Sequence, residues 1–385
     1  MTEVAPMGIR FHHGSLVTPA GAVHTTPLGY DRDSVPVSAP LPLPTSGELA
    51  RRLNGCGEIE VAFEGKLGDT LLALSGVQAV LDWLRLSSVR VITRATGPYA
   101  ELIARAGLTT QAPVTVPGSG RALIGDRAGA ETHGSEAEVR LVLDPTAPPC
   151  WSSDDRAYSD LPARHYLALE RRLGIRLPDA APFAPALVAR PNKLVEELRS
   201  LGWLNGTTIA AITATSWPER KDYTVERYVE LAEHISEAQQ TQARLLLIGG
   251  SPADGLRITA NSSRRHVQVL RLDGVPAGHL VDLFPHCHLV LGNDTGLTHL
   301  AAMSRSRDGS RAPVVGLYAR HSHSKWRTGL PHHHAVATDH SDRMHQGDLC
   351  PVRDAIVPDT DIHMDAFPPS ALAQTCLGLL NGVGR

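Results

Sequence analysis

The strongest chemical signal in the sequence is a polar turn that joins an apolar run to a helical pattern, at residues 291–302 (LGNDTGLTHLAA). Backbone N–H groups at the start of a helix lack partners, and the helix dipole adds partial positive charge, so such a turn attracts anions. Gly296 would let a phosphate approach closely, and His299 lies about one turn further along. Alternatively, Asp294 or Thr295 only caps the helix, and the residues alone do not decide between these interpretations.

A second turn, at residues 64–72 (EGKLGDTLL), follows an apolar run and opens another helical pattern. It is not a Walker A loop, because Glu60 stands where the first glycine belongs and Leu67 follows the lysine. Asp69 is a candidate general base in this turn. A capping or first-turn acid is the interpretation that the residues alone favour.

A third polar stretch, at residues 213–223 (TATSWPERKDY), also follows an apolar run and contains hydroxyl groups and two cations. Lys221 is one of only four lysines in the chain. Its compact charge suits a phosphate partner. A solvated loop lysine is an equally good interpretation before the other motifs are considered.

These turns lie within an alternation of short apolar runs and longer helical patterns that begins near residue 57. The first half is predicted to form strands at 59–63, 89–92 and 139–143, and helices at 70–86, 99–106 and 163–173. The second half is predicted to form strands at 208–213, 245–248, 267–272, 289–291 and 314–318, and helices at 225–237, 295–303 and 370–380. This alternation implies parallel sheets with crossover helices, which bind ligands beyond the carboxyl ends of their strands.

The fold class is therefore α/β, with two doubly wound domains that face a central cleft. A cluster of prolines between residues 178 and 191 marks the linker between them. Prolines also interrupt the first fifty residues, which we expect to form an irregular extension over the first domain. The predicted limits are an N-terminal extension at 1–55, a first domain at 56–190, a second domain at 191–368 and a C-terminal helix at 369–385.

Composition excludes several classes of protein. The 385 residues are 42% hydrophobic and carry a net charge of −3, so packed cores are expected and nucleic acid is not expected as a partner. No apolar run is long enough for a transmembrane helix, and the first residues do not resemble a secretory signal. The five cysteines form no paired motif and are expected to be reduced. These features predict a cytoplasmic location.

Together, the three stretches resemble glycosyltransferase family 9, the heptosyltransferases, whose members have the GT-B fold of two Rossmann-like domains. The resemblance covers about residues 59–380. It rests first on the run DTGLTH at 294–299, then on LGDTLL at 67–72, and on PVVGLY at 313–318 followed by Lys325 and Trp326. It implies an inverting transfer of heptose from ADP-heptose to an acceptor hydroxyl, with no metal and no cofactor.

The resemblance also implies roles for individual residues. Asp69 matches the catalytic base. The donor would be bound by Thr215, Ser216, Lys221, Gly249, Gly250, Asp294, Thr295, Gly296, Leu297 and His299, with Asp254 near the ribose in a looser alignment. His321, His323 and Lys325 are candidates for the acceptor or substrate loop, because they follow the carboxyl end of a strand. The expected partners are a nucleotide-sugar donor and a hydroxyl acceptor, and the oligomeric state is left open.

The acceptor is the point at which the sequence departs most from the family. Lipopolysaccharide acceptors usually accompany a basic surface, whereas this chain is near neutral. A lipopolysaccharide core acceptor and a small soluble acceptor, as in antibiotic biosynthesis, both stay open. So do a nucleotide-sugar epimerase and a non-catalytic sugar-nucleotide sensor.

Two other functions fit the sequence less well. A nicotinamide dehydrogenase needs a glycine fingerprint, and the nearest match, Gly118-Ser119-Gly120, has Leu123 at the third glycine position. Seven histidines between residues 321 and 345 lack the spacing of a zinc site, so we expect no functional metal there.

Overall fold

The computed structural model describes residues 16–17, 25–27, 47–110, 118–143, 161–178, 184–213, 215–251, 255–264, 266–319, 323, 326–338, 341, 364 and 367–382. In chain order its helices and strands are β1 Leu16–Val17, β2 Thr25–Pro27, α1 Glu48–Asn54, β3 Cys56–Ala62, α2 Leu67–Leu86, β4 Ile92–Thr96, α3 Ala100–Arg105, β5 Gly120–Gly125, α4 Arg127–His133, β6 Val139–Val142, α5 Leu161–Leu173, β7 Leu187–Val188, α6 Lys193–Ser200, β8 Thr208–Ile212, α7 Pro218–Lys221, α8 Val225–Gln239, β9 Ala243–Gly249, β10 Arg257–Arg264, β11 Val267–Asp273, α9 Ala277–Leu283, β12 Leu289–Asn293, α10 Gly296–Met303, β13 Ser304–Arg305, β14 Val314–Tyr318, β15 His333–Thr338 and α11 Pro369–Gly382.

The smaller sheet has the strand order β4-β3-β5-β6, and all of its pairs are parallel. Ile59 and Val61 of β3 face a core that α2 and α5 complete. The polar Glu60 lies between them and faces the other side, as the two-residue period of a strand requires. Helix α2 is buried along much of its length, because apolar or small residues occupy most of its positions.

The larger sheet has the order β1-β15-β14-β12-β8-β9-β11-β10, and β2 also pairs with β15. The β10–β11 and β15–β2 pairs are antiparallel, and the others are parallel. Every residue of β8, β12 and β14 is buried, as expected for strands covered on both faces. All three strands end at the same edge, where parallel sheets place ligands.

The α/β architecture with two parallel sheets is confirmed, but several local predictions are wrong. The strand predicted at 89–92 lies at Ile92–Thr96. The expectation that the N-terminal extension covers the first domain is also wrong for its described residues, because β1 and β2 pair with β15 in the larger sheet. Prolines disfavour regular structure but leave sheet edges available. The domain limits stay predictions.

Within the described residues, no helix is both long and apolar enough to cross a membrane.

Candidate active site

One cavity lies where the start of α2 faces the carboxyl edge of the larger sheet, and its volume is about 430 Å³. Eight of the residues proposed from sequence line it: Asp69, Ser216, Lys221, Asp294, Thr295, Gly296, Leu297 and His299. Its other lining residues are Lys66, Leu67, Gly68, Trp217 and Trp326. The three polar stretches, which are far apart in the sequence, therefore contribute to one cavity.

The amino ends of α2 and α10 meet at this cavity through two glycines. A Cβ placed on Gly296 would lie 2.6 Å from the backbone nitrogen of Gly68 and 3.0 Å from its Cα. A Cβ on Gly68 would lie 3.3 Å from Gly296 Cα. A side chain at position 296 would push the two helices apart. This contact is a structural reason for glycine at that position, and the sequence alone did not show it.

The turn before α10 directs its polar groups to different places. Thr295 holds the cap position, but its side chain makes no capping bond to the described residues. The hydroxyl of Thr298 instead donates to the carbonyl of Asn293 at 2.6 Å, which ties the first turn of the helix to the end of β12. The simple capping interpretation is therefore not supported for Thr295 in the described residues, and the amino end of α10 faces the cavity.

Lys221 lies beside this turn, at the end of α7. Its Nζ is 2.8 Å from Oδ2 of Asp294, and both side chains are largely buried, with 17% and 11% exposed. A lysine ammonium has three donors, so this pair leaves it able to bind a further oxygen. Asp294 thus fixes the position of Lys221, one of two lysines that line the cavity.

Asn293 is a structural residue that the sequence reasoning did not single out. It is fully buried, and its Oδ1 accepts hydrogen bonds from the Tyr223 amide and the Tyr228 hydroxyl, each at 3.0 Å. These bonds join the end of β12 to the segment that carries Lys221. The available sequence signal was a polar residue directly before the DTGLTH run, and the structure shows that this residue is buried.

The loop before α2 is held by a second residue that the sequence reasoning missed. The carboxylate of Asp126 accepts from the amides of Gly65 at 2.6 Å and Glu64 at 3.1 Å, and it also caps α4 by accepting from the Gly129 amide at 2.7 Å. The Tyr99 hydroxyl donates to the carbonyl of Gly65 at 2.7 Å. These bonds position the loop that leads to Asp69.

Asp69 is the third residue of α2, whose cap is Lys66, so it is a first-turn acid and not the cap itself. The pKa of the Tyr99 phenol is raised mainly by burial, and the carboxylates of Asp126, Asp69 and Glu64 raise it further. The charge of Asp69 therefore acts on the neighbouring Tyr99. Asp69 lines the cavity together with Lys221 and the amino end of α10. A carboxylate, a cation and the amino end of a helix are thus gathered around one cavity.

Comparisons with known proteins show what the chain is similar to. Residues 166–352 match glycosyltransferase family 9 (heptosyltransferase). The matched segment is just under half of the chain and includes the DTGLTH run. A search of curated proteins finds no match.

Solved structures show the same fold. The family 9 glycosyl transferase from Veillonella parvula DSM 2008 is 12% identical and has a TM-score of 0.54, with 84% of this chain and 97% of that chain covered. The ADP-heptose lps heptosyltransferase II of E. coli is 14% identical with a TM-score of 0.50, over 85% and 100% of the two chains. The chain is a glycosyltransferase with a GT-B-type fold.

His299 of this glycosyltransferase is neutral at ordinary pH. Burial lowers its pKa to about 4, since the positive form would lose its hydration, and Lys221 lowers it further while Asp294 opposes this. A Cβ on Gly68 would lie 3.4 Å from His299 Cδ2, so this edge of the ring faces the start of α2. The imidazole therefore offers the cavity a neutral polar group.

Several predicted site residues do not line the cavity of this glycosyltransferase. The Thr215 hydroxyl donates to Oδ1 of Asp222 at 2.6 Å and so shapes the loop before Lys221. Gly249 and Gly250 lie at the end of β9 against Asp273, and Gly250 has a φ of 68° that favours glycine. His323 is buried, and its amide donates to the Ser341 hydroxyl at 3.0 Å. Asp254, His321 and Lys325 lie outside the described residues.

The nearest dinucleotide-type fingerprint has an ordinary structural role in this glycosyltransferase. Gly118 lies two residues before Gly120, which is the first residue of β5. A Cβ on Gly118 would lie 2.6 Å from the carbonyl oxygen of Gly55, so close backbone packing explains that glycine. Among the described residues, no group of His, Cys, Asp and Glu has the arrangement of a metal site.

Proposed function

We propose that this glycosyltransferase transfers a heptose-type sugar from an ADP-sugar to an acceptor hydroxyl, with inversion and without a metal or cofactor. One observation carries the proposal: a single cavity joins Asp69 to Lys221 and to the amino end of α10. A base on one side and groups that attract a diphosphate on the other are what a displacement at a sugar carbon needs.

In the proposed reaction, a carboxylate oxygen of Asp69 takes the proton of the acceptor hydroxyl. The acceptor oxygen forms a bond to the anomeric carbon as the bond from that carbon to the donor diphosphate breaks, and ADP leaves with the bonding electrons. Lys221 and the amides at the start of α10 stabilise the added charge on the diphosphate. Attack opposite to the leaving group inverts the configuration of the anomeric carbon.

Sequence features support the proposed donor, acceptor and location. ADP-heptose is proposed because the DTGLTH run supplies the resemblance to the family, and all of its residues except Thr298 line the cavity. A small soluble acceptor, as in antibiotic biosynthesis, is proposed because the chain carries a net charge of −3 and only four lysines. The cytoplasm is the proposed location, in line with three free buried cysteines among the described residues.

Donor turnover tests the proposed chemistry. ADP-heptose is incubated with the protein and a panel of soluble aminocyclitols, nucleosides and lipopolysaccharide core fragments, and released ADP and glycosylated product are measured. We expect Asp69→Asn to reduce turnover at least about a hundredfold while ADP still binds. Asp82→Asn is the matched control, because Asp82 lies on the same helix in an exposed pair with Arg85. Near-full turnover in Asp69→Asn would show that Asp69 is not the base.

A further inference from the structure

Two buried histidines pack against each other behind the cavity. His299 lies on α10 and lines the cavity, and His333 begins β15 and is fully buried. Their ring centroids are 5.9 Å apart, with the planes at 62°. Each ring has one buried nitrogen without a hydrogen-bond partner in the described part of the chain, Nδ1 of His299 and Nε2 of His333. Such orphaned polar atoms are uncommon inside proteins and call for an explanation.

The hydrogen bonds around His333 determine which of its nitrogens carries the proton. The backbone N–H of Leu330 can only donate, and it lies 3.3 Å from the hydroxyl oxygen of Thr328. That oxygen is also 3.0 Å from Nδ1 of His333. Among the described residues, Nδ1 is the one acceptor within reach of the hydroxyl proton. The oxygen has two lone pairs and could also accept from an Nδ1–H, but the hydroxyl proton would then have no acceptor among the described residues, so donation from Thr328 to Nδ1 is the favoured arrangement.

The proton position in His333 fixes the polarity of the next contact. Burial, together with the charges of nearby histidines and Arg327, keeps the pKa of His333 well below its usual value, so the ring is neutral. A neutral imidazole that accepts at Nδ1 carries its proton on Nε2. The orphaned Nε2 of His333 is thus a donor, and the orphaned Nδ1 of the adjacent His299 is the matching acceptor.

We propose that Thr328 and His333 are positioning residues that hold His299 as the Nε2–H tautomer, through one water that accepts from His333 Nε2 and donates to His299 Nδ1. The Cδ2–Nε2 edge of His299 faces the start of α2, at the cavity. His299 then presents a fixed N–H donor to an anionic oxygen without carrying a charge itself. The last step rests on the proposed function, which places a diphosphate in this cavity.

This relay of hydrogen bonds, from Thr328 through His333 to His299, explains why a deeply buried histidine is useful beside a phosphate. A free neutral imidazole interconverts between two tautomers, and one of them would turn a lone pair toward the diphosphate. The relay removes that tautomer before the ligand binds, so the donor is already oriented. The neighbouring histidines do not take part in this relay. Nε2 of His332 is 2.7 Å from the carbonyl oxygen of Ala302, and His334 lies on the opposite face of β15 from His333.

The tautomer itself is the first measurement. Two-bond proton–nitrogen NMR spectra of histidine-labelled protein distinguish Nδ1–H, Nε2–H and charged rings, and His299→Gln assigns the His299 signals. At pH 7.5 and without nucleotide, we expect His299 in the Nε2–H form. We expect Thr328→Val to convert it to a mixture, because His333 Nδ1 then loses its donor. A His299 that carries its proton on Nδ1, or a spectrum that Thr328→Val leaves unchanged, would overturn the proposal.

The second measurement is ADP affinity, with His333→Phe compared against His334→Phe. The same ring is introduced at neighbouring positions, and only the first variant breaks the relay. A hydrogen bond to a charged group accounts for about a tenfold to hundredfold change in affinity, so His333→Phe should weaken ADP binding by about tenfold or more and His334→Phe by less than about twofold. Equal losses in the two variants would contradict the relay.

The two measurements separate this proposal from the proposed function. If wild-type protein does not bind ADP, the proposed function fails, and the NMR spectra still decide whether the relay exists. If His333→Phe does not fold, Thr328→Val replaces it in the ADP titration with the same expected loss. An unaltered ADP affinity in that variant would then overturn the role of the relay in binding.

Discussion

Replacement of Gly296 by alanine tests the contact that closes the site. The added Cβ would lie 2.6 Å from Gly68 N, 3.0 Å from Gly68 Cα and 3.2 Å from the carbonyl carbon of Leu67. All three neighbours are backbone atoms of α2, so no flexible side chain can move aside. The amino ends of α2 and α10 must separate, or one of the two helices must shift.

The magnitude follows from two opposing effects. Alanine in place of a helical glycine gains about 1 kcal/mol. Overpacking a close contact costs about 1–3 kcal/mol, and a clash with backbone atoms belongs at the upper end of that range. We expect a net loss of about 1–2 kcal/mol in the free energy of unfolding. A shift of about 1 Å between reacting groups can cost about a hundredfold in rate, so turnover should fall by tenfold or more.

Gly378→Ala is the matched control for this measurement. Gly378 lies in α11, and a Cβ placed on it has no atom within 4 Å. The same substitution there should raise stability by about 0.5–1 kcal/mol and leave turnover unchanged. Urea unfolding and ADP release are measured for both variants. If Gly296→Ala is as stable and as active as Gly378→Ala, the close packing of α2 on α10 is not what requires glycine at this position.

Two further perturbations test how the site is held. Acidification from pH 7 to pH 5 should lower stability, because burial lowers the pKa values of His299, His332 and His334 to about 4 each. The unfolded chain binds more protons than the folded one between about pH 6.5 and pH 4, so stability rises with pH across this range. Between pH 5 and pH 7 the rise is roughly 2 kcal/mol at most for each fully buried histidine. Urea unfolding as a function of pH checks this, and a flat profile would contradict it. Asp126→Ala should reduce kcat but leave ADP affinity within about twofold, because it releases the loop before Asp69 and does not touch Lys221 or the amino end of α10. Measurements of kcat and of ADP affinity in parallel check this, and an equal loss in both would contradict it.

Much of the fold could be predicted from periodicity because buried parallel strands are continuously apolar. The strand predicted at 314–318 agrees with β14 at both ends, and that predicted at 208–213 extends only one residue beyond β8. Strands with weaker patterns were missed. Strand β5 begins at Gly120, in the run that was weighed as a dinucleotide fingerprint, and β15 begins with two of the histidines that were weighed as a metal site. Burial of those histidines depends on long-range packing that no local pattern contains.

The sequence indicated cavity-lining residues where a motif marks the start of a helix. It did not indicate residues that act by binding backbone groups. Asp69, Lys221 and Gly296 were proposed from their positions after apolar strands, and all three line one cavity. Asp126 and Asn293 were missed because each holds backbone groups or side chains distant in sequence. Such partners become visible only when the fold brings them together.

Nucleotide binding tests the central claim most directly. Thermal stability is measured with ADP, UDP, GDP and NAD for wild type, for Lys221→Ala and for the control Lys193→Ala, whose lysine begins α6 and does not line the cavity. A ligand at about a hundred times its Kd adds about 2.7 kcal/mol of stability, enough to raise Tm by a few degrees. The account predicts that ADP stabilises wild type and Lys193→Ala and does not stabilise Lys221→Ala. Stabilisation by UDP or NAD in place of ADP, or an ADP effect that survives in Lys221→Ala, would contradict it.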